Sequence, residues 1–281
     1  MCIIYLIFLL LEWGQKIMKV YISVDIEGVT GVTNWNETEL GNDEHEAAAR
    51  QMTLEALAAC QGAIEAGADE IYIKDAHDSA RNMDISQFPE CVTFIRGWTN
   101  TPESMMAGID ETFDAAVFIG YHTGAGFAGN PLAHTMNTDN VYVKINGRQA
   151  AEFDMNAYVA AYYDVPVVFI SGDAEVCRHA RELVPEIETA GVKEGIGNAT
   201  FNMVPEKALK LIRQGVKAGL EKLDSCRLES PESFEMEICF KESVRALRGS
   251  FYPGAKQLDS RTVKFTGRDI QEMMTARMFI L

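Results

Sequence analysis

The run Lys-Val-Tyr-Ile-Ser-Val at positions 19–24 leads straight into Asp25-Ile26-Glu27-Gly28. Such a β-branched and aromatic run predicts a buried strand that stops at the glycine. In an open α/β sheet, ligands bind beyond the carboxyl ends of the strands, so Asp25 and Glu27 stand where a metal or a substrate would sit. Side chains alternate along an extended chain, so positions i and i+2 share a side and the two carboxylates can converge. Taken alone, the stretch fits a pair of solvated loop acids equally well.

The same grammar recurs downstream. Residues 44–66 carry apolar positions at steps of three and four, which predicts a helix capped by Gly67. A strand over 70–74 follows, making a β-α-β unit that runs into Asp75-Ala76-His77. Another apolar strand, 114–120, ends in Tyr121-His122, and a Gly- and Ala-rich loop leads to Ala133-His134. Asn146-Gly147 predicts a hairpin from strand 141–145 into 149–152, with Glu152 closing the second arm. Further on, the pattern predicts helix 155–163, strand 165–171 and helix 178–183. The fold class is therefore α/β, a mainly parallel sheet flanked by helices over residues 18–190. From about residue 191 no strand end is crowded with polar residues. Strands near 192, 234–240 and 262–265, with helices 206–223, 242–247 and 269–278, predict a smaller C-terminal α+β domain over 191–281.

With 281 residues, 47% of them hydrophobic, the chain can bury a full core, and its net charge of −16 argues against nucleic acid or an anionic membrane as partner. That charge suits cations. Six cysteines, Cys2, Cys60, Cys91, Cys177, Cys226 and Cys239, include no Cys-x-x-Cys pair and are read as reduced thiols of a cytoplasmic protein. The apolar run 2–11 is shorter than the ~20 residues a membrane span needs, and it lacks the basic flank and cleavage site of a secretory signal. Met18 is accordingly expected to be the working start, with residues 1–17 an extension upstream of it.

The chain has five histidines. His45 and His179 fall in helical patterns and are expected to be helix-surface or satisfied core residues. His77, His122 and His134 follow strands or lie in the Gly-rich loop. Imidazole and carboxylate together suit Zn²⁺ and similar transition metals. Asp25, Glu27, His77 and His122 form such a site if their strands are neighbours, and Glu152 can add a carboxylate. Five ligands exceed what one tetrahedral zinc with an open position requires, which points to two metals sharing a carboxylate. Asp75 fits either a partner that orients His77 or a plain strand-end cap.

The blocks Ser23-Val24-Asp25-Ile26-Glu27-Gly28, Lys74-Asp75-Ala76-His77, Gly120-Tyr121-His122, Ala133-His134-Thr135-Met136 and Glu152-Phe153-Asp154-Met155-Asn156-Ala157-Tyr158 occur in this order. Their order and spacing resemble the zinc-dependent D-aminopeptidase family, the dipeptide-operon D-aminopeptidases of bacteria, from Met18 to the C-terminus. The resemblance implies a dinuclear centre of two Zn²⁺ per subunit on Asp25, Glu27, His77, His122 and Glu152, with His134 as the catalytic residue. Asp25, nearest the strand end, is the candidate bridge between the metals. His134 is then uncoordinated, and nucleophile, general acid and general base all remain open for it. The resemblance also implies short peptides with an N-terminal D-residue, such as D-Ala-D-Ala, as substrates, and a ring-like homo-oligomer such as a decamer. The alternatives are another dinuclear-metal hydrolase (L-peptidase, amidase or phosphoesterase) and a non-catalytic metal- or peptide-binding protein. A phosphoesterase would want Arg or Lys near the metals, and only Lys74 and Arg81 stand close in sequence.

Overall fold

In the computed structural model, which describes residues 17–281, the run Lys-Val-Tyr-Ile-Ser-Val is strand β1 (Lys19–Val24), an interior strand of a seven-stranded sheet. Apart from Ile17, the expected extension lies outside the described residues. β1 pairs in parallel with β2 (Glu70–Asp75) on one side and β4 (Ala115–Tyr121) on the other. Beyond β2 lies β3 (Val92–Ile95), and beyond β4 lie β7 (Val167–Asp173) and β8 (Glu188–Ile196), all parallel. Only the edge strand β9 (Ala199–Asn202) runs antiparallel. Because the chain leaves β1 first towards β2 and later towards β4, the point where the strand order reverses falls beside β1.

Burial explains this arrangement. Tyr21, Ile22 and Val24 of β1 are inaccessible, as are Ile71 and Ile73 beside them and Val117 and Ile119 on the far side. Helix α1 (His45–Glu65) presents Met52 and the small residues Ala56, Ala59, Cys60 and Ala63 to this layer, the small ones letting the helix lie close to the sheet. The predicted helix 206–223 is α4 (Pro205–Leu220), which packs on α1.

The second sheet has five antiparallel strands in the order β11 (Lys256–Gln257), β12 (Thr262–Gly267), β10 (Phe234–Phe240), β5 (Asn140–Ile145) and β6 (Arg148–Gln149). Asn146 and Gly147 have φ of 50° and 78°, the signs a type I′ hairpin turn demands. A cut at residue 190 does not separate the sheets, since β5 and β6 join the smaller one while β9 and α4 join the larger. The cause is that a two-stranded hairpin is marginal by itself, and β5 is completed by β10, a strand drawn from far along the chain. Helices α5 (Ser243–Gly249) and α6 (Ile270–Ile280) cover this sheet.

Two boundaries differ from the sequence expectation for one reason, N-capping. Helix α2 begins at Glu152 and runs to Tyr162, so Glu152 opens a helix instead of ending a strand. Asp154 folds back to accept the Ala151 N–H (2.8 Å), which starts the helix three residues early. Helix α3 (Ala174–Leu183) likewise starts ahead of residue 178, where Asp173 accepts the Val176 N–H (2.8 Å).

Candidate metal centre

The chain leaving β1 stays bound to the end of β4: Asp25 N–H donates to the Ile119 carbonyl and Gly28 N–H to that of Gly120, both at 2.8 Å. No side chain could replace the glycine there, because a Cβ on Gly28 would stand 1.8 Å from the Tyr121 oxygen. Gly120 has φ +68° and a Cβ on it would meet the Asp25 oxygen at 2.3 Å. These two bare positions let the strand ends close up and bring Asp25 beside His122.

Each histidine is fixed by one ring nitrogen and offers the other. His77 donates from Nε2 to the Thr38 carbonyl (2.8 Å), leaving Nδ1 at 3.2 Å from Asp25 Oδ1 and 3.0 Å from Glu27 Oε2. His122 donates from Nδ1 to the Thr123 carbonyl (2.9 Å), and its Nε2 lies 3.5 Å from Asp25 Oδ2 and 3.4 Å from Glu152 Oε2. His134 donates from Nδ1 to Leu132 (2.9 Å), with Nε2 at 3.7 Å from Glu152 Oε1. Its ring stacks on His122 (4.4 Å, 14°) and meets the edge of Trp35. Glu152, first residue of α2, has its Oε1 held by the Met136 N–H (2.7 Å) and sits where a helix N-terminus favours negative charge. The structure thus gathers all six residues singled out in the sequence.

The donor set fits a cation. Asp25 Oδ2, Glu27 Oε2 and His122 Nε2 are buried without a hydrogen-bond partner, which is costly unless they meet a ligand. Donor atoms of Asp25, Glu27 and His77 cluster within 4.8 Å, as do those of Asp25, His122 and Glu152 and those of Glu27, His122 and His134. Asp25 belongs to two of these groups, one on each of its oxygens. Oxygen and imidazole nitrogen without thiolate are the donors of a zinc or similar transition-metal site. The electrostatics agree with this. Burial, then Glu27, pushes Asp25 well above the ordinary carboxylate value. Burial opposes the charged forms of Glu27 and His77 too, but their mutual attraction wins, so Glu27 lies well below its usual value and His77 well above. In the same way, against burial, the His122–Glu152 pair is split, with His122 up to about 10 and Glu152 down to about 2.

Around these donors stand further polar residues, Asp75 among them, most of which the sequence did not single out. Asp75 does not touch the His77 ring. It accepts from Asn82 N (2.6 Å), Asn82 Nδ2 (2.9 Å) and Met83 N (3.1 Å), and so is the strand-end cap. Asn82 Nδ2 in turn holds the His77 carbonyl (2.8 Å). Lys193, buried on β8, donates to the carbonyls of Glu27 and Val32, and burial pulls its ammonium down to about 8. Asn130 Nδ2 bonds the Glu27 carbonyl (3.1 Å) and Asp173 (3.0 Å), whose carboxylate also holds Thr123 N (2.8 Å) and Oγ1 (2.7 Å). This network ties the Glu27 turn to the His122 turn. Its only signal in the sequence is polar residues inside apolar segments. His45 and His179 are satisfied core residues, on Asn82 (3.1 Å) and Asp154 (2.7 Å).

The donors open onto a cavity of about 730 Å³ walled by Trp35, Trp98, Met105 and Met136, with Glu39 and Asp78 also on its lining and, among the described residues, no lysine or arginine there. Lys74, the cation nearest in sequence, is buried, bonded to the Asp75 (2.5 Å) and Gly97 (2.9 Å) carbonyls and seated on the Trp98 ring.

Similarity to known proteins extends over almost the whole chain. The Peptidase_M55 family model, described as D-aminopeptidase, matches residues 18–279. A D-aminopeptidase of Bacillus subtilis (strain 168) is 32% identical over 264 residues, 93% of this chain and 96% of the relative. The solved structure of the Zn-dependent D-aminopeptidase DppA from Bacillus subtilis, described as a self-compartmentalizing protease, matches with a TM-score of 0.88 at 31% identity, covering 94% of this chain and 96% of that one.

Proposed function

Since the chain belongs to the Peptidase_M55 family of D-aminopeptidases, we propose that it is a zinc-dependent aminopeptidase that removes N-terminal D-residues from short peptides such as D-Ala-D-Ala. In this reading Asp25, Glu27, His77, His122 and Glu152 would hold two zinc ions. The observation that carries it is the pair of donor groups meeting on the two oxygens of one buried aspartate. Bound zinc supplies Lewis acidity toward the scissile carbonyl and a nucleophile at neutral pH.

His134 is the catalytic residue of this scheme. With Nδ1 committed to Leu132, its Nε2 is the atom free to attack, or to take a proton and later deliver it to the departing amine. Stacking on His122 and an edge contact with Trp35 fix the plane in which it does so. Thr38, Thr123 and Leu132 set the tautomers of the three rings through their carbonyls.

Phosphoester chemistry is disfavoured, because the Lys74 ammonium is spent on two carbonyls and among the described residues no lysine or arginine lines the cavity. The proposal includes a ring-like homo-oligomer in the cytoplasm. The solved neighbour is described as self-compartmentalizing, and among the described residues no helix is long and apolar enough to cross a membrane.

The test is hydrolysis of D-Ala-D-Ala against L-Ala-L-Ala by zinc-reconstituted protein, with metal analysis of the same sample. Preference for the D-peptide, its loss on chelation and two zinc ions per chain are expected. Equal rates on both peptides, or turnover unaffected by the chelator, would overturn the reading.

A further inference from the structure

Two carboxylates on the cavity lining, Glu39 and Asp78, belong to none of the donor groups within 4.8 Å of one another. Both are exposed, and both flank His77. Asp78 follows it in the chain, and Glu39 follows Thr38, whose carbonyl accepts the His77 ring N–H. They therefore lie at the end of the site where His77 faces Asp25 Oδ1. His122 and Glu152, with His134 stacked on His122, gather on the side of Oδ2. The cavity is a ligand site on separate grounds: Asp25 and Glu27, which line it, are buried and each leaves one oxygen unpartnered. Among the described residues no lysine or arginine lines it, so no basic side chain of the lining pairs with a carboxylate on the substrate.

We propose that Asp78 and Glu39 receive the α-ammonium group of the substrate, so that the cavity selects the amine end of a peptide and is indifferent to charge at its carboxyl end. This rests on the peptidase reading above. It gives the substrate a direction, with the amine beside His77 and the leaving amine towards His134. A free ammonium is required, an N-acyl group is excluded, and a C-terminal amide serves as well as a free acid. Trp98 supports the arrangement, since its Nε1–H donates to the Asp78 carbonyl (2.7 Å) while its ring rests on buried Lys74.

The experiment compares the zinc-loaded wild type with Asp78→Asn, Glu39→Gln and the double variant on D-Ala-D-Ala, its C-terminal amide and its N-acetyl derivative. Asparagine keeps the shape of Asp78 and tolerates its positive φ of 41°. For exposed carboxylates each single change is expected to raise KM about threefold, with kcat within about twofold. The double variant is expected to show about a tenfold rise, and salt at about 0.5 M to raise KM of the wild type but not of the double variant. Calorimetric titration of D-alaninol, which carries the ammonium and no carboxylate, is expected to show the same weakening without any turnover. The amide is expected within about threefold of the free acid in kcat/KM. Unchanged KM and unchanged D-alaninol affinity in the double variant overturn the proposal, as does a free acid preferred more than about tenfold. Wild type that hydrolyses none of the peptides defeats the peptidase reading, and the D-alaninol titration then decides the amine site by itself.

Discussion

Among single residues, His134 differs from the five others by standing outside the two donor groups that meet on Asp25. His134→Ala is expected to keep its zinc and lose at least about a hundredfold in kcat, the scale of acid–base catalysis, whereas His77→Ala is expected to lose metal. Metal analysis beside a turnover assay separates the two. The His122–Glu152 pair gives the metal-free protein a definite pH response. His122 is raised to about 10, so its contribution to stability is complete below the imidazole's ordinary 6.5 and is lost as pH rises through 10. Glu152 is lowered to about 2, so its contribution is present above 4.5 and is lost as pH falls through 2. Chelator-treated protein should therefore have its highest Tm between those ordinary values and soften on the alkaline side. Zinc binds neutral imidazole, so the rise in Tm on adding zinc should grow with pH over the same alkaline range. A zinc-induced rise that shrinks from pH 6.5 to about 9 would contradict this pairing.

At the level of elements, the site depends on strand ends that approach more closely than side chains permit. Gly28→Ala forces a Cβ against the Tyr121 carbonyl and is expected to cost about 3 kcal/mol or more, together with zinc affinity. Denaturant titration and metal analysis test both parts. Asp173 gives a contrast between caps. Asp173→Ala removes a cap and the anchor of Thr123 and Asn130 from a buried position, so more than about 2 kcal/mol should be lost. Asp269→Ala removes only the cap of α6, worth about 1 kcal/mol. Equal losses would mean that the network behind Glu27 and His122 contributes little.

For the whole molecule, the exposed apolar side chains Ile196 and Phe201 (63% and 64% accessible) lie on the edge hairpin of the large sheet. Monomers rarely leave an apolar sheet edge open. Sedimentation is expected to show an assembly well above the monomer mass, and replacing Ile196 and Phe201 by lysine is expected to shift it downward. A monomer at all concentrations would remove the ring from the proposed function.

The sequence by itself determined most of the strands and helices and the fact that carboxylates and imidazoles fall at strand ends. Those features are written in local patterns, an apolar run closing on Asp25, Glu27 and Gly28 or an Asn-Gly turn, and local patterns survive in one dimension. Tertiary structure alone decided what depends on neighbours. It placed β2 and β4 on either side of β1, so that His77 and His122 meet opposite oxygens of Asp25. The same level of structure carried β5 across to β10 and made residue 190 no boundary. Glu152 became the head of a helix because Asp154 caps it, and Asp75 became a loop anchor instead of a partner for His77. Lys74, Lys193, Glu39 and Asp78 are all charged in the sequence. Only burial and the position of the cavity show that the two lysines are spent on carbonyls while the two acids stand on the cavity lining.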